Sequence, residues 1–405
     1  MKKVLIFSLA YYPKFIGGDA IALKAITDRI DPSDIEFHMI TLRLDSNLPT
    51  EEKVGNIFVH RIGFTRPNPS MADLKKFPLY YAKWPYFQIF AALAALALHK
   101  KYHFDATWAM MAHSAGVPAA LFKLFKPKVP YLLTLQEGDP LEYIERKMKP
   151  FWPLFARAFT SADMIQVIST FLGAWARRRG YGGPLEVVPN AVDTKHFSQT
   201  CPEAVLVALK QKLGKKDGDI FLITTSRLVH KNGVDDVIRA LRELSPSVHF
   251  IVLGIGPDEQ DLKHLVDELD LGERVRFLGH IDHSDLPEYL KASDIFIRPS
   301  RSEGFGNSFV EAMAAGLPVI ATQEGGIADF LFDAKQNPDQ ATTGWAVDKD
   351  SPEQIAEAVK DIIANPEKVK EVTKTAGAMV VEKYDWDVIA KDMQEEVFGV
   401  LFRAS

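Results

Sequence analysis

Short, largely apolar runs of strand length recur along this chain with helix-length segments between them, and the pattern starts twice. Val4 to Ala10 opens the first series, which continues through Ile35 to Leu42, Ile57 to Ile62, Ala106 to Met111, Tyr131 to Leu135, Met164 to Ser169 and Leu185 to Val188. Ile220 to Thr225 opens the second, followed by Val248 to Leu253, Val275 to Leu278, Ile295 to Ile297 and Val319 to Ala321. Helical spacing fills the gaps at Val234 to Leu244, Glu259 to Leu269, Leu286 to Ala292 and Phe309 to Ala315. Strands apolar on both faces and alternating with helices predict parallel sheets covered on each side, so the chain reads as α/β with two Rossmann-like, doubly wound domains. In such sheets ligands bind at the carboxyl ends of the strands.

Composition narrows the class. One cysteine, Cys201, excludes an internal disulfide and suits a reducing compartment. The opening M-K-K-V-L-I-F-S-L-A runs into Tyr11-Tyr12-Pro13 without a small-residue cleavage site, which predicts a buried first strand and not a signal peptide. The longest apolar run, Phe87 to Leu98, is well short of the ~20 residues that span a bilayer. A cytoplasmic protein is expected. The net charge of −5 conceals an asymmetry: up to Phe197 there are 25 basic against 17 acidic residues, and 23 against 36 thereafter. A basic first half is compatible with an anionic partner or with a solvated face. Between Lys75 and Trp84, Lys, Trp, Tyr and Phe interleave at the start of a helix expected to run to Lys101, broken by Pro78 and Pro85; the pattern fits a membrane interface or an amphipathic helix on the sheet.

The chemistry-bearing residues cluster after strands. Gly17-Gly18 follow the first strand, and Arg227 and Lys231 stand four apart in T-S-R-L-V-H-K-N-G directly after Thr225, so both cations are able to converge on one anion. From Arg298 to Gly326 a Ser/Gly-rich loop carries Glu303, Gly304, Phe305 and Gly306, a helix begins near Asn307 and Ser308, and Glu311 follows Glu303 by eight positions. Glycines admit a ligand close to the backbone, and free N–H groups at a helix start attract phosphate. Carboxylates for hydroxyls beside donors for phosphate are what a nucleoside diphosphate sugar needs.

These phrases resemble those of the retaining glycosyltransferases of family 4. S-E-G-F-G-N-S-F-V-E-A matches the family's E-x7-E, R-L-V-H-K-N-G its G-R-L-x-x-x-K-G, and Val188-Pro189-Asn190-Ala191-Val192-Asp193 its V-P-N-G-V-D. The resemblance is strong from Thr225 to Gly326 and loose before Leu185. It implies the GT-B fold, two Rossmann-like domains facing a central cleft, with a C-terminal helix after Tyr384-Asp385-Trp386 crossing back to the first domain. The first domain is expected at 1–197 plus 385–405, the second at 198–384, with Ser198 to Asp219 as the passage between them. It further implies a retaining hexosyl transfer from a nucleoside diphosphate sugar to a hydroxyl acceptor: a sugar, a glycan or a lipid-linked acceptor, with peripheral membrane contact at the inner membrane face compatible with it. Arg227 and Lys231 would grip the diphosphate, Asn307 and Ser308 would assist through their N–H groups, Glu303 would bind sugar hydroxyls and Glu311 the ribose. Gly17, Gly18, Gly279, Gly304, Phe305 and Gly306 would line the donor, and His113 would lie near the donor sugar. Gln136-Glu137-Gly138 departs from the family's Thr-x-His, so Glu137 or Asp139 is expected to take an acceptor-side role.

Other signals are negative. In Gly254-Ile255-Gly256-Pro257 the third glycine of a dinucleotide fingerprint would fall at Glu259, so that match fails. The three D-x-D phrases, at Asp217-Asp219, Asp348-Asp350 and Asp385-Asp387, end no strand and are read as solvated acids, so no metal and no cofactor beyond the donor is expected. No basic-aromatic nucleic-acid module is evident. Two alternatives on the same fold are a sugar-nucleotide 2-epimerase and a non-catalytic sugar-nucleotide-binding protein.

Overall fold

A computed structural model describes residues 1–14, 17–63, 65–69 and 79–403, with the backbone alone at 79–83. The chain divides into two compact units, Met1–Asn190 with Trp386–Ser405, and Ala191–Asp385. The aromatic and basic residues at Lys75 to Pro78 lie outside the described residues.

In the first unit, the strands β1 (Lys2–Phe7), β2 (Ile35–Leu42), β3 (Glu51–Val54), β4 (Ile57–Ile62), β5 (Ala106–Met110), β6 (Tyr131–Leu135), β7 (Met164–Val167) and β8 (Leu185–Val187) form one sheet in the order β3-β4-β2-β1-β5-β6-β7-β8. Val4 to Phe7 are wholly buried, as a central parallel strand covered on both faces requires. Only β3, short and alternately exposed, pairs antiparallel among the described strands, and it closes the edge beside β4. The helices are α1 (Gly18–Thr27), α2 (Leu79–Tyr102), α3 (Val117–Phe125), α4 (Leu141–Met148), α5 (Trp152–Thr160) and α6 (Thr170–Arg178). Pro85 sits inside α2 without ending it, contrary to the expected break. Among the described residues no helix is long and apolar enough to cross a membrane.

The second unit begins with α7 (Thr194–Ser198) and α8 (Glu203–Lys212). Its sheet, β11-β10-β9-β12-β13-β14, is built from β9 (Ile220–Thr225), β10 (Val248–Leu253), β11 (Val275–Gly279), β12 (Ile295–Arg298), β13 (Val319–Ala321) and β14 (Trp345–Ala346). Around it lie α9 (Val234–Ala240), α10 (Glu259–Glu268), α11 (Leu286–Ala292), α12 (Asn307–Ala314), α13 (Pro352–Ala364) and α14 (Pro366–Lys383). The division falls before Ala191 and not after Phe197. The reason is local pairing: Val192 bridges Asp385, and the Thr194 N–H donates to the Asp385 carboxylate at 3.3 Å. Ser198 to Asp219 is therefore no bare passage, since α8 packs on α11 within this unit.

The chain ends in α15 (Trp386–Asp392), a wide turn at Met393–Phe398 and α16 (Gly399–Arg403). This segment returns to the first unit, as expected. Phe398 packs 5.9 Å from Phe37 and 5.3 Å from Trp108, ring to ring, and Arg29 meets Asp387 at 2.7 Å.

Candidate functional site

Both sheets have a point where the strand order reverses, and the candidate residues gather there. From β9 the chain proceeds outward through β10 and β11, then returns to place β12 on the other side; from β1 it runs through β2 to β4 before β5 returns. Neighbouring strand ends at such a reversal diverge and leave room for a ligand.

In the second unit Arg227 is exposed just past β9, and Lys231 lies in the tight turn His230–Asn232 that leads through Gly233 into α9. Asn232 is buried, and its amide donates to the Arg227 carbonyl at 2.6 Å, clasping the loop that carries both cations. Gly256 explains the G-x-G-P turn after β10: a Cβ there would come within 2.0 Å of the Leu228 carbonyl oxygen, so only glycine lets the two loops touch. Gly279 ends β11 beside this turn, its carbonyl accepting from the Gly254 N–H at 2.7 Å.

Past β12, the Glu303 carboxylate is held on both oxygens. Oε2 accepts from Arg298 at 2.7 Å and Oε1 from the Gly304 N–H at 3.1 Å. Arg298 also donates to Ser308 Oγ at 2.8 Å and lies over the Phe309 ring at 4.2 Å. Burial lowers the Arg298 guanidinium from its ordinary range, and the Glu303 and Glu311 charges pull it back up. Both acids of the E-x7-E phrase thus act on one buried cation. Glu311 is itself met by His283 at 3.1 Å, a hydrogen bond that raises the His283 pKa. Asn307 and Ser308 form the first turn of α12 after Gly306. Phe305, expected along the donor, instead packs its buried ring 5.2 Å from Phe330 and 5.5 Å from Tyr384. Its backbone remains in the loop; its side chain belongs to the core.

In the first unit His113 lies in a wide helical turn, Met111–Gly116, directly after β5. Its Nδ1 is 3.5 Å from Glu137 Oε1, the atom that also accepts from the Ala112 N–H at 2.7 Å. Glu137 is 2% exposed, so an acceptor contact by its carboxylate is overturned by burial: it stands behind His113. Asp139 is exposed. Gly17 and Gly18 lead into α1, where burial raises the Asp19 carboxyl against the backbone hydrogen bonds that lower it.

Arg298, His283 and Asp19 were not singled out by sequence. A lone arginine at a strand end or a histidine after a loop has no spacing signal, although an arginine closing the apolar run Ile295 to Ile297 is out of keeping with a buried strand. The D-x-D acids are engaged, not merely solvated: Asp350 meets Arg301, Asp387 meets Arg29 and Asp385 meets Thr194. Among the described residues no group of three or more His, Cys, Asp or Glu side chains is arranged to hold a metal.

Residues 208–379 match the family Glycosyl transferases group 1, and residues 16–196 match Glycosyltransferase Family 4. The chain is similar to a GDP-mannose-dependent monoacylated alpha-(1-6)-phosphatidylinositol monomannoside mannosyltransferase of Corynebacterium glutamicum, 28% identical over 57% of this chain and 61% of the relative. Matches to this protein and to its counterpart from Mycolicibacterium smegmatis span less than two thirds of those relatives, 61% and 64%. Similarity to the alpha-monoglucosyldiacylglycerol synthase of Acholeplasma laidlawii, at 23% identity, covers 97% of this chain and 96% of the relative. Among solved structures, a sucrose-phosphate synthase from Thermosynechococcus elongatus superposes with a TM-score of 0.81 at 22% identity, covering all of both chains.

Proposed function

The chain belongs to the family 4 glycosyltransferases, the glycosyl transferases group 1, with their GT-B fold, and from that premise we propose that it transfers a hexose from a nucleoside diphosphate to a hydroxyl acceptor with retention at the anomeric carbon. The observation that supports the reading is that the loop carrying Arg227 and Lys231 and the loop carrying the Arg298-held Glu303 follow the neighbouring strands β9 and β12 and touch, the Arg301 N–H donating to the Lys231 carbonyl at 2.7 Å. Arg227 and Lys231 neutralise the departing diphosphate, helped by the N–H groups at the start of α12. Glu303 accepts from sugar hydroxyls and Glu311 from the ribose. His113, with Gly17 and Gly18, is assigned by resemblance to the donor and acceptor. Rate enhancement then comes from leaving-group stabilisation and from placing the acceptor, with no protein nucleophile assigned and same-face substitution as the path. The basic side chains supply the charge that a metal would otherwise bring.

A lipid-linked or other envelope acceptor, met at the cytoplasmic membrane face, is favoured by one surface of the first unit. Lys149 to Leu154 is exposed throughout, with Phe151, Trp152 and Leu154 open to solvent, and Arg146, Lys147 and Arg157 exposed around it. Phe151 packs 4.8 Å from Trp84, whose indole N–H donates to the His113 carbonyl at 2.9 Å. Aromatic rings with flanking cations suit an anionic bilayer surface. No observation favours the 2-epimerase or the binding-protein alternative.

The test is transfer assayed with purified protein against a panel of GDP-, UDP- and ADP-hexoses, reading nucleoside diphosphate release and the anomeric configuration of the product. Lys231→Ala and Glu303→Ala are each expected to lower the rate about a hundredfold; near-normal transfer by either rejects the assignment. Flotation with anionic vesicles tests the surface. Wild type should float at low salt and Phe151→Ser/Trp152→Ser should not.

A further inference from the structure

β12 reaches its end with three buried apolar residues, Ile295, Phe296 and Ile297, and then a buried cation. An apolar side chain in that place would avoid the cost of withdrawing a charge from water, a cost recovered only when the geometry of the partners is good. Arg298 has such partners. One arm of its guanidinium holds the Glu303 carboxylate, and the other holds Ser308 Oγ at 2.8 Å and reaches the Thr225 carbonyl at 3.4 Å, the last residue of β9. Its face lies against Phe309. One side chain therefore ties together the end of β9, the Glu303 loop and the first turn of α12.

Resting on the reading of Glu303 as the acceptor of sugar hydroxyls, we propose that Arg298 is a positioning residue for Glu303, fixing its carboxylate so that donor sugars are recognised and bare nucleoside diphosphates gain nothing from it. With Oε2 bound to Arg298 and Oε1 to the Gly304 N–H, the carboxylate plane cannot turn, and each oxygen keeps a lone pair for a hydroxyl. A glutamate without that anchor would sample other rotamers on a glycine-rich loop and present hydroxyl acceptors in varying directions. The planar fork of arginine matters here; a lysine offers one point charge and cannot hold Glu303 and Ser308 together in this geometry.

The measurement is a ratio. Calorimetry gives the affinity of a hexose nucleotide that the transferase assay accepts, divided by that of the same nucleotide without the sugar, for the full chain and for Arg298→Met, Arg298→Lys, Glu303→Gln and the double variant Arg298→Met/Glu303→Gln. Arg298→Met is expected to lower the ratio about tenfold, as Glu303→Gln does, and the double variant to lose no more than Glu303→Gln alone, because the arginine acts through the glutamate. Arg298→Lys, which keeps the buried charge, should fall between wild type and Arg298→Met. Weakened binding of both ligands by one factor, or losses that add in the double variant, would overturn the proposal. If Glu303→Gln leaves the ratio unchanged, the Glu303 reading itself falls. If Glu303→Gln lowers the ratio while both folded Arg298 variants keep it, only the inference about Arg298 falls. Should Arg298→Met not fold, Arg298→Lys alone decides: an unchanged ratio rejects the proposal and a lowered one supports it.

Discussion

The backbone N–H of Arg301 donates to the carbonyl of Lys231 at 2.7 Å, joining the loop after β12 to the loop after β9. The Arg301 side chain reinforces the join. It donates to Asp235 through both terminal nitrogens, at 2.8 and 2.9 Å, and to Asp236 at 2.8 Å, at the start of the helix that follows Lys231, and it meets Asp350 at 2.5 Å. Burial opposes the guanidinium charge, and the hydrogen bonds it donates to Asp235 and Asp350 outweigh it, so the group is raised above its ordinary range. Arg301→Ala would take the shared guanidinium from three carboxylates, Asp235, Asp236 and Asp350. Removing one partner from a fully buried charged network costs about 3–5 kcal/mol; Arg301 and Asp235 are half-buried and Asp350 is exposed, so urea unfolding of the full chain should read a smaller loss, about 1.5–3 kcal/mol. A loss below the level of an ordinary surface pair would show that the network carries no weight.

Asp236 within the same network has a separate pH signature. Burial, and then the Asp235 charge, push it up to about 6. A carboxyl raised in the folded state contributes stability while protonated, below its unfolded value of ~3.9, and loses it as pH rises through about 6. Asp236→Asn should therefore be of similar stability to wild type at pH 4 and gain on it towards pH 7. About 1–2 kcal/mol is expected, below the ~3 kcal/mol that two pKa units would allow, because the amide gives up the charged bond to Arg301. A difference that stays flat between pH 4 and 7 contradicts the assignment.

Gly233 sits between Lys231 and α9 at φ +67°, and a Cβ added there would stand 2.2 Å from the Pro299 carbonyl oxygen. Gly233→Ala combines left-handed strain of ~1–2 kcal/mol with an overlap against backbone that has no side-chain freedom to yield. The Lys231 loop must shift away from the Glu303 loop. Transfer should fall at least tenfold, a loss seen more in kcat than in KM for the donor, while the unfolding midpoint falls as well. A variant with normal kcat would show that the spacing of the two loops does not matter to the reaction.

Much of this architecture was legible because it is local. Largely apolar runs gave most strand positions, several to the residue, though not the short strands Glu51–Val54 and Trp345–Ala346, and the glycines and acids after those runs marked the loops where the candidate residues lie. What escaped depends on strand order. Arg298 acquires its role because β12 lies beside β9, and Arg301 acquires its own because the loops after those two strands touch; neither adjacency is written in the neighbouring residues. Glu137 was misplaced for the same reason, since only the pairing of β5 with β6 reveals that it stands behind His113. The helix α8 is a different kind of miss. Pro202, an acid at Glu203 and lysines at its end are ordinary helix punctuation, and treating Ser198 to Asp219 as one polar passage averaged them away.

Away from the candidate site, four side chains of the first unit form a line: Glu36, His38, His60 and Glu51, linked at 3.0, 3.0 and 3.2 Å. Three gaps need three protons, and two neutral imidazoles supply two. A third would complete the line, but burial lowers both histidines, chiefly through loss of hydration, against the pull of Glu36 on His38 and of Glu51 on His60. Both rings are therefore neutral in the fold at pH 7. A histidine lowered in the folded state contributes stability above its unfolded value of ~6.5, and that contribution is lost as pH falls towards the folded value. Unfolding measured at pH 7.5 and pH 5 should show wild type losing about 1 kcal/mol or more per pKa unit of lowering. His38→Phe/His60→Phe, which keeps the stacking with Phe58, Tyr102 and Phe104 while removing both titrations, should show a flatter pH dependence over that interval. Parallel curves for the two proteins would mean that these rings titrate alike in the folded and unfolded chains.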